Sequence, residues 1–261
     1  MIPRILAIAG SDSGGGAGIQ ADIKTITMLG GHAMTAVTAL TAQNTLGVDA
    51  IMPVPAAMVT AQIDAVVRDI GVDAIKIGMI GSAEIAEAVA GALPDVAIVL
   101  DPVMVASSGA MLADGATIAM LERLMVRATL LTPNLPELAA LTGRDIDGVG
   151  AVEAAAHALA DRLGVAVLAK GGHGDGPELV DLLVAPDGVT RWRSERIDTR
   201  HSHGTGCTLS SAIATGLGGG MPLVEAIGRA RDYVRAALRA APGLGGGHGP
   251  LGHGLGRAHF S

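Results

Sequence analysis

The sequence predicts an α/β fold, a mostly parallel sheet with helices on both faces. Three observations lead there. Short apolar runs alternate with longer stretches of helical period along most of the chain. Those runs are continuous rather than alternating, as in strands buried on both sides. The chain has 261 residues, 49% of them hydrophobic, and a domain of that size can bury about 75% of the surface its unfolded chain exposes. No linker or internal repeat divides it. One domain over residues 1–261 is expected, with a Gly-rich tail at 242–261. Trp192, Tyr233 and Phe260 are the only aromatic residues, so the core must be built from Ala, Val, Ile, Leu and Met.

The elements follow in order. Residues 4–9 read as a buried strand, 10–18 as a glycine-rich loop and 18–29 as a helix. Residues 33–40 form a second strand, 55–69 an amphipathic helix and 73–79 a third strand. A helix at 83–93 leads to a strand at 96–100, which closes on Asp101-Pro102. Then come a helix at 114–126, a strand at 129–131 and helices at 135–142 and 151–163. Residues 165–169 are a strand that ends in Lys170-Gly171-Gly172. Residues 179–184 and 189–194 read as a hairpin around Pro186-Asp187-Gly188, and helices at 205–217 and 223–241 finish the pattern. In such sheets ligands bind outside the carboxyl ends of the strands. The polar segments 10–18, 41–44, 132–137 and 170–173 fall at those ends, together with Met79 and Asp101.

Composition excludes several classes. The formal net charge is −7 and no run of basic residues occurs, which argues against a nucleic-acid partner. Arg191, Arg193 and Arg196 are the one basic cluster and read as a solvated strand face. No apolar window reaches the ~18 residues of a membrane span. The N-terminal apolar run is too short for a secretion signal. Cys207 is the single cysteine, so no intrachain disulfide or cysteine-based metal site can form. A reducing, cytoplasmic setting is expected. His248, His253 and His259 lie in the tail, which is expected to be partly ordered rather than a metal site.

Four constellations carry the chemistry. Gly10-Ser-Asp-Ser-Gly-Gly-Gly-Ala-Gly18 holds five glycines in nine residues between a strand and a helix, with Asp12 among them. Such a loop lets backbone approach a ligand, and the helix start favours an anion. It lacks the Lys of a P-loop, and no acidic residue follows about 20 positions on, as a dinucleotide fingerprint would need. Asn134 and Glu137 lie three apart at a helix start. They form either a capping box or, with Asp101, an oxygen ligand set for Mg²⁺. Lys170 at a buried strand end needs an anion, a phosphate or a carboxylate partner. His203-Gly-Thr-Gly-Cys-Thr208 precedes a small-residue helix, and the amides of Gly204, Thr205, Gly206 and Cys207 can form an anion hole. A cysteine there is expected to have its pKa lowered into the ~3.5–7.5 range.

Taken together with Ile19-Gln-Ala-Asp22, Lys76-Ile-Gly-Met79 and Asp101-Pro-Val-Met104, these motifs resemble the hydroxymethylpyrimidine/phosphomethylpyrimidine kinases of thiamine biosynthesis. The resemblance runs from about residue 4 to about 254, in one order, and implies a ribokinase-like three-layer α/β/α sandwich, usually a homodimer. It implies a small-molecule partner, 4-amino-5-hydroxymethyl-2-methylpyrimidine and then its monophosphate, with ATP and Mg²⁺. By motif match, Gln43 would bind the aminopyrimidine edge, which suits an amide that both donates and accepts. Gly10 and Asp12 would belong to the substrate loop. Asp22, Met79 and Val103 would line the pocket. Lys170, with Thr205 and Gly206, would hold ATP phosphates, and Asp101, Asn134 and Glu137 the metal. Cys207 would stand where most of the superfamily has an Asp. It would take the hydroxyl proton in the first transfer, while the Gly204–Cys207 amides stabilise the phosphoryl group in both.

Two stretches depart from that family. Ala106-Ser-Ser-Gly109 lacks a Lys often found there, and the run Arg200-His-Ser-His203 stands where an Asn and a Thr are more usual. Pyridoxal kinase, on the same fold with similar motifs, is the nearest alternative. A non-catalytic pyrimidine sensor and a thiol enzyme are more distant. The first would have shed Glu137, Lys170 or the Gly-Thr-Gly-Cys turn, and the second lacks a second cysteine.

Overall fold

The computed structural model describes residues 1–104, 115–173 and 176–255. Among the described residues the chain alternates strands β1 (Arg4–Asp12), β2 (His32–Gln43), β3 (Val48–Pro53), β4 (Ala74–Ile77), β5 (Ala97–Leu100), β6 (Leu130–Leu131), β7 (Ala166–Ala169), β8 (Glu178–Ala185) and β9 (Gly188–Glu195) with eight α-helices. These are α1 (Gly18–Met28), α2 (Ala56–Asp69), α3 (Ala83–Ala92), α4 (Gly115–Met125), α5 (Leu135–Thr142), α6 (Gly148–Leu163), α7 (Thr205–Gly218) and α8 (Leu223–Arg239).

All nine strands form one sheet in the order β3-β2-β1-β4-β5-β6-β7-β8-β9. The six strands from β2 to β7 run parallel, and β3, β8 and β9 extend the two sides antiparallel. Two apolar layers sandwich it. On one face Val59, Ile63, Ile85, Val89, Leu124, Leu138 and Leu159 of α2 to α6 pack on the sheet. On the other, Ile26 of α1, Leu209 and Ile213 of α7 and Ile227 and Val234 of α8 do so. β1, β4, β5 and β7 are buried almost throughout, because helices cover both their faces.

The strand order reverses at β1, which lies between β2 and β4. A crevice therefore opens at the carboxyl ends of β1 and β4. A bulge between Ala9 and Ser11 bends the end of β1 there. Backbone must come close: a Cβ on Gly10 would strike Met79 Cε of the loop after β4.

Two expectations change. β1 continues to Asp12, so Gly10 to Asp12 are strand rather than loop. β3 was not anticipated. It is an edge strand with nearly every residue exposed, so it carries no buried pattern to read. The tail is built in as far as Leu255: Leu251 and His253 are buried, and Gly252 N–H donates to Ala237 O over 2.9 Å. The start of the helix expected at 114, the Ala106–Gly109 departure and His259 lie outside the described residues. Among the described residues no helix is long and apolar enough to cross a membrane.

Candidate active site

Asp12, at the end of β1, folds the glycine-rich loop. Its carboxylate is 3% exposed. It accepts the N–H groups of Gly14 at 2.8 Å, Gly16 at 2.9 Å and Ala17 at 2.8 Å, and lies 3.0 Å from His203 Nε2. Burial pushes its pKa up, but the His203 bond and the Ala17 and Gly14 amides outweigh that and hold it below the usual range.

The loop meets the start of α7 backbone to backbone. Gly204 caps that helix at φ 88°, and a Cβ there would strike the Gly16 carbonyl. Only glycine meets both conditions. Thr208 Oγ1 donates to Gly204 O over 2.8 Å and Thr205 Oγ1 to Ser202 O over 2.6 Å, which fix the turn. The first-turn amides of a helix have no partner inside it; Thr205 N–H turns back to Ser202 O at 3.2 Å, and Gly204, Thr205, Gly206 and Cys207 all line the cavity. Gly206 brings the helix start against the charged centre: its Cβ position lies 3.0 Å from Asp101 Oδ2 and 3.3 Å from Lys170 Nζ.

That centre holds two carboxylates and one ammonium. Lys170 Nζ donates to Asp101 Oδ1 over 2.6 Å, and Thr132 Oγ1 donates to the same oxygen over 3.0 Å. Burial lowers the Lys170 pKa, but Asp101 and Glu137 more than reverse this, so it stays charged. Asn134 and Glu137 form the capping box: Glu137 N–H donates to Asn134 Oδ1 and Asn134 N–H to Glu137 Oε2, both at 2.8 Å. Glu137 keeps its second oxygen. Burial lifts its pKa to about 7; Lys170 pulls it down and Asp101 pushes it up. Two close carboxylates with one lysine leave a net negative charge. That donor set fits a hard cation such as Mg²⁺.

Two expectations are corrected. The Cys207 pKa is raised, not lowered: burial pushes the thiol up, Lys76 pulls it down, and Asp22 and Asp101 push it up again. The helix start does not compensate for the loss of water. Asp22 does not line the cavity. It is 0% exposed, and its oxygens accept both contacts from Lys76 Nζ at 2.8 Å and one from Ser211 Oγ at 2.7 Å.

The other residues singled out surround one cavity of about 530 Å³. Gly10, Asp12, Gln43, Met79, Val103 and His203 line it, with Asp101, Asn134, Glu137, Lys170 and the α7 start through Cys207. Arg196, Arg231 and Arg235 line it as well. Sequence reasoning missed these arginines. Arg191 and Arg193 do pair on the surface with Glu153 and Glu178, and Arg196, also exposed, donates to Gly172 O and Gly176 O at the cavity rim. Arg231 donates to Asp181 Oδ2 over 2.7 Å, and Asp181 Oδ1 accepts Gly171 N–H at 2.9 Å, so this pair steadies the turn after Lys170. Arg231 and Arg235, four apart on α8, share a helix face, but no spacing links them to Arg196. Lys76, 0% exposed at the end of β4, was read as motif but not as an ion pair.

Phosphoryl transfer to a small molecule is largely positioning and charge stabilisation. An anion seat facing a lysine and two carboxylates supplies both, and the fold and site define a small-molecule kinase. The description "Phosphomethylpyrimidine kinase" belongs to the family model that matches residues 12–252. The chain belongs to that family. It is 50% identical to the hydroxymethylpyrimidine/phosphomethylpyrimidine kinase of Rhizobium meliloti, over 95% of this chain and 96% of the relative. It is 51% identical to the thiamine biosynthesis bifunctional protein ThiED of Geobacter sulfurreducens, of which it spans 52%. Among solved structures it resembles an ADP complex of Bacillus subtilis pyridoxal kinase, with TM-score 0.88 and 34% identity over 97% of this chain and 98% of that one.

Proposed function

We propose that this chain moves the γ-phosphoryl group of ATP to 4-amino-5-hydroxymethyl-2-methylpyrimidine and then to its monophosphate, giving the diphosphate used to build thiamine diphosphate. The observation that carries the reading is the single cavity joining Gln43 to Lys170 and the α7 start. One end offers an amide to a heterocycle, and the other offers a seat for transferring phosphates. The similarity to kinases named for this substrate supports it.

The residues divide the work. Gln43 pairs with the aminopyrimidine edge, while Met79 and Val103 pack on the ring. Gly10 and the Asp12-organised loop let the hydroxymethyl group approach. Lys170, Thr205 and Gly206 hold ATP phosphates. Asp101 and Glu137, steadied by Asn134, would hold Mg²⁺, which supplies charge neutralisation of the phosphates when bound. The Gly204–Cys207 amides stabilise charge on the moving phosphoryl group. In the first transfer the alcohol loses a proton, and Cys207 accepts it as the thiolate, a form that burial makes scarce at neutral pH. In the second, the acceptor monophosphate is already largely ionised (second pKa about 6) and needs no such base.

Pyridoxal phosphorylation is the second reading, favoured by the 0.88 TM-score to a pyridoxal kinase. The reading also includes a homodimer and a cytoplasmic setting. β3 leaves Ile51 and Met52 exposed beside Leu46 and Met58, an apolar edge that a second copy would cover. Light scattering should then give twice the 26.0 kDa chain mass; a monomer at micromolar concentration counts against the dimer. The cytoplasm supplies ATP and keeps the lone Cys207 reduced. The substrate test is ADP release with the pyrimidine alcohol, its monophosphate and pyridoxal in parallel. Turnover on the two pyrimidines with pyridoxal weak is expected. Turnover on pyridoxal alone would replace the substrate, and binding without turnover would leave a sensor.

A further inference from the structure

His203 joins three segments at the pyrimidine end of the cavity. Its side chain is 11% exposed. Its backbone N–H donates to Gly249 O over 3.2 Å, and its ring packs where a Cβ on Gly16 would be, 2.6 Å from Cδ2. The ring is therefore packed against Gly16, and its backbone is tied to Gly249. Nε2 lies 3.0 Å from Asp12 Oδ2 and 3.2 Å from Gln43 Nε2.

The donors and acceptors in this group allow one arrangement. The Asp12 carboxylate already accepts three backbone N–H groups and has nothing to donate. His203 Nε2 must therefore carry a proton, whether the ring is neutral or charged. A protonated Nε2 cannot accept from the Gln43 NH₂ group, so a 3.2 Å contact between those nitrogens sets donor against donor. At the other end of the amide, the Thr41 hydroxyl has one proton for two acceptors, Ser11 O at 2.9 Å and Gln43 Oε1 at 3.1 Å. One of the two is left without it. Turning the amide by 180° repairs both at once. Oε1 then shares the Nε2 proton with Asp12 in a three-centre bond, and the NH₂ group donates to Thr41. The two ends of an amide have nearly the same shape, so the network decides between them.

We infer that His203, held protonated at Nε2 by Asp12, is the positioning residue that sets which way round Gln43 meets the substrate. The amide then shows its spare oxygen lone pair on the His203 side and its spare N–H on the Thr41 side. On the reading that Gln43 recognises the aminopyrimidine edge, the exocyclic amino group donates to that oxygen. The neighbouring ring nitrogen accepts from that N–H. A pyridine ring without the amino group forfeits the first bond, so His203 contributes to selecting the aminopyrimidine.

Two variants and one spectroscopic measurement test this. His203→Leu removes the N–H, and His203→Asn keeps a donor. His203→Leu should raise KM for the aminopyrimidine alcohol about five- to tenfold, the loss of one oriented hydrogen bond. The loss should be larger for the aminopyrimidine alcohol than for a des-amino analogue, and His203→Asn should recover most of that difference. Equal losses on both substrates, or none, would overturn the inference. ¹⁵N spectra of histidine-labelled full chain, with the His203 signal assigned from the Asn variant, should show Nε2 protonated. A neutral ring with its proton on Nδ1 would overturn it. The spectra decide even if the Leu variant does not fold. They also decide if the wild type proves inactive on the pyrimidine, a result that would sink the substrate reading alone.

Discussion

Lys76 Nζ donates to both carboxylate oxygens of Asp22, each at 2.8 Å, with neither side chain exposed. The pair sits between β4 and α1, and its charges act on Cys207 at the start of α7. Breaking one half strands the other in a medium that cannot solvate it. Lys76→Met should therefore cost about 3–5 kcal/mol of stability. Asp22→Asn in the same chain should return part of it, because the stranded carboxylate is gone. Urea unfolding of the two variants measures this, and a single variant within 1 kcal/mol of wild type would contradict the burial assigned to the pair.

Glu137 gives a pH dependence with a definite sign. Its pKa lies at about 7, above the usual 4.5, because burial and Asp101 outweigh Lys170. Below pH 7 the free enzyme holds a protonated Glu137, and a cation must displace that proton. Apparent Mg²⁺ affinity should rise as pH increases to about 7 and then level off. Excess Mg²⁺ should rescue activity at pH 6. In Glu137→Gln the rescue should vanish and turnover fall roughly 10²-fold or more. Titrations of activity against Mg²⁺ at pH 6 and 8 read both effects.

If Cys207 is the base, it should separate the two transfers. Burial raises its pKa, so the thiolate grows with pH in the alkaline range. The rate on the alcohol should climb there, while the rate on the monophosphate stays flatter. Cys207→Ala should slow the alcohol step by about 10²-fold, the scale of one lost general base. It should spare the monophosphate step. Single-turnover rates on each acceptor make the comparison, and full activity of the variant on the alcohol would remove the base role.

The docked tail is acid-sensitive through His253. Burial, with Lys24 adding to it, lowers the His253 pKa from 6.5 to about 4. The folded chain thus resists a proton that the unfolded chain accepts, and stability falls as pH drops from 6.5 towards 4. Nε2 lies 2.9 Å from Thr208 Oγ1, one turn into α7, so the loss reaches the active site. Melting curves at pH 7 and pH 5 should show a wider gap for wild type than for His253→Gln. An equal gap would mean that other groups carry the acid limb.

Much of the architecture was legible because buried parallel strands leave continuous apolar runs, as in residues 4–9 and 165–169. β3 was not, since an exposed edge strand ending in Pro53 leaves no such run. Motif order brought the site residues together in the reading, and the cavity gathers all but Asp22. What failed was electrostatics. Cys207 reads as activated because a helix start is visible in sequence, whereas the burial that overrides it is a property of packing. The same holds for Asp22, whose role as the partner of Lys76 depends on two elements 54 positions apart. Arg196, Arg231 and Arg235 converge only once β9 and α8 are folded against the sheet.

The most direct test of the central claim is a single reaction followed by ³¹P NMR, with enzyme, ATP, Mg²⁺ and the pyrimidine alcohol. If one cavity performs both transfers, the monophosphate signal should appear first and then give way to the diphosphate as two equivalents of ADP accumulate. ATP that stays intact in the presence of the alcohol and of its monophosphate would contradict the account.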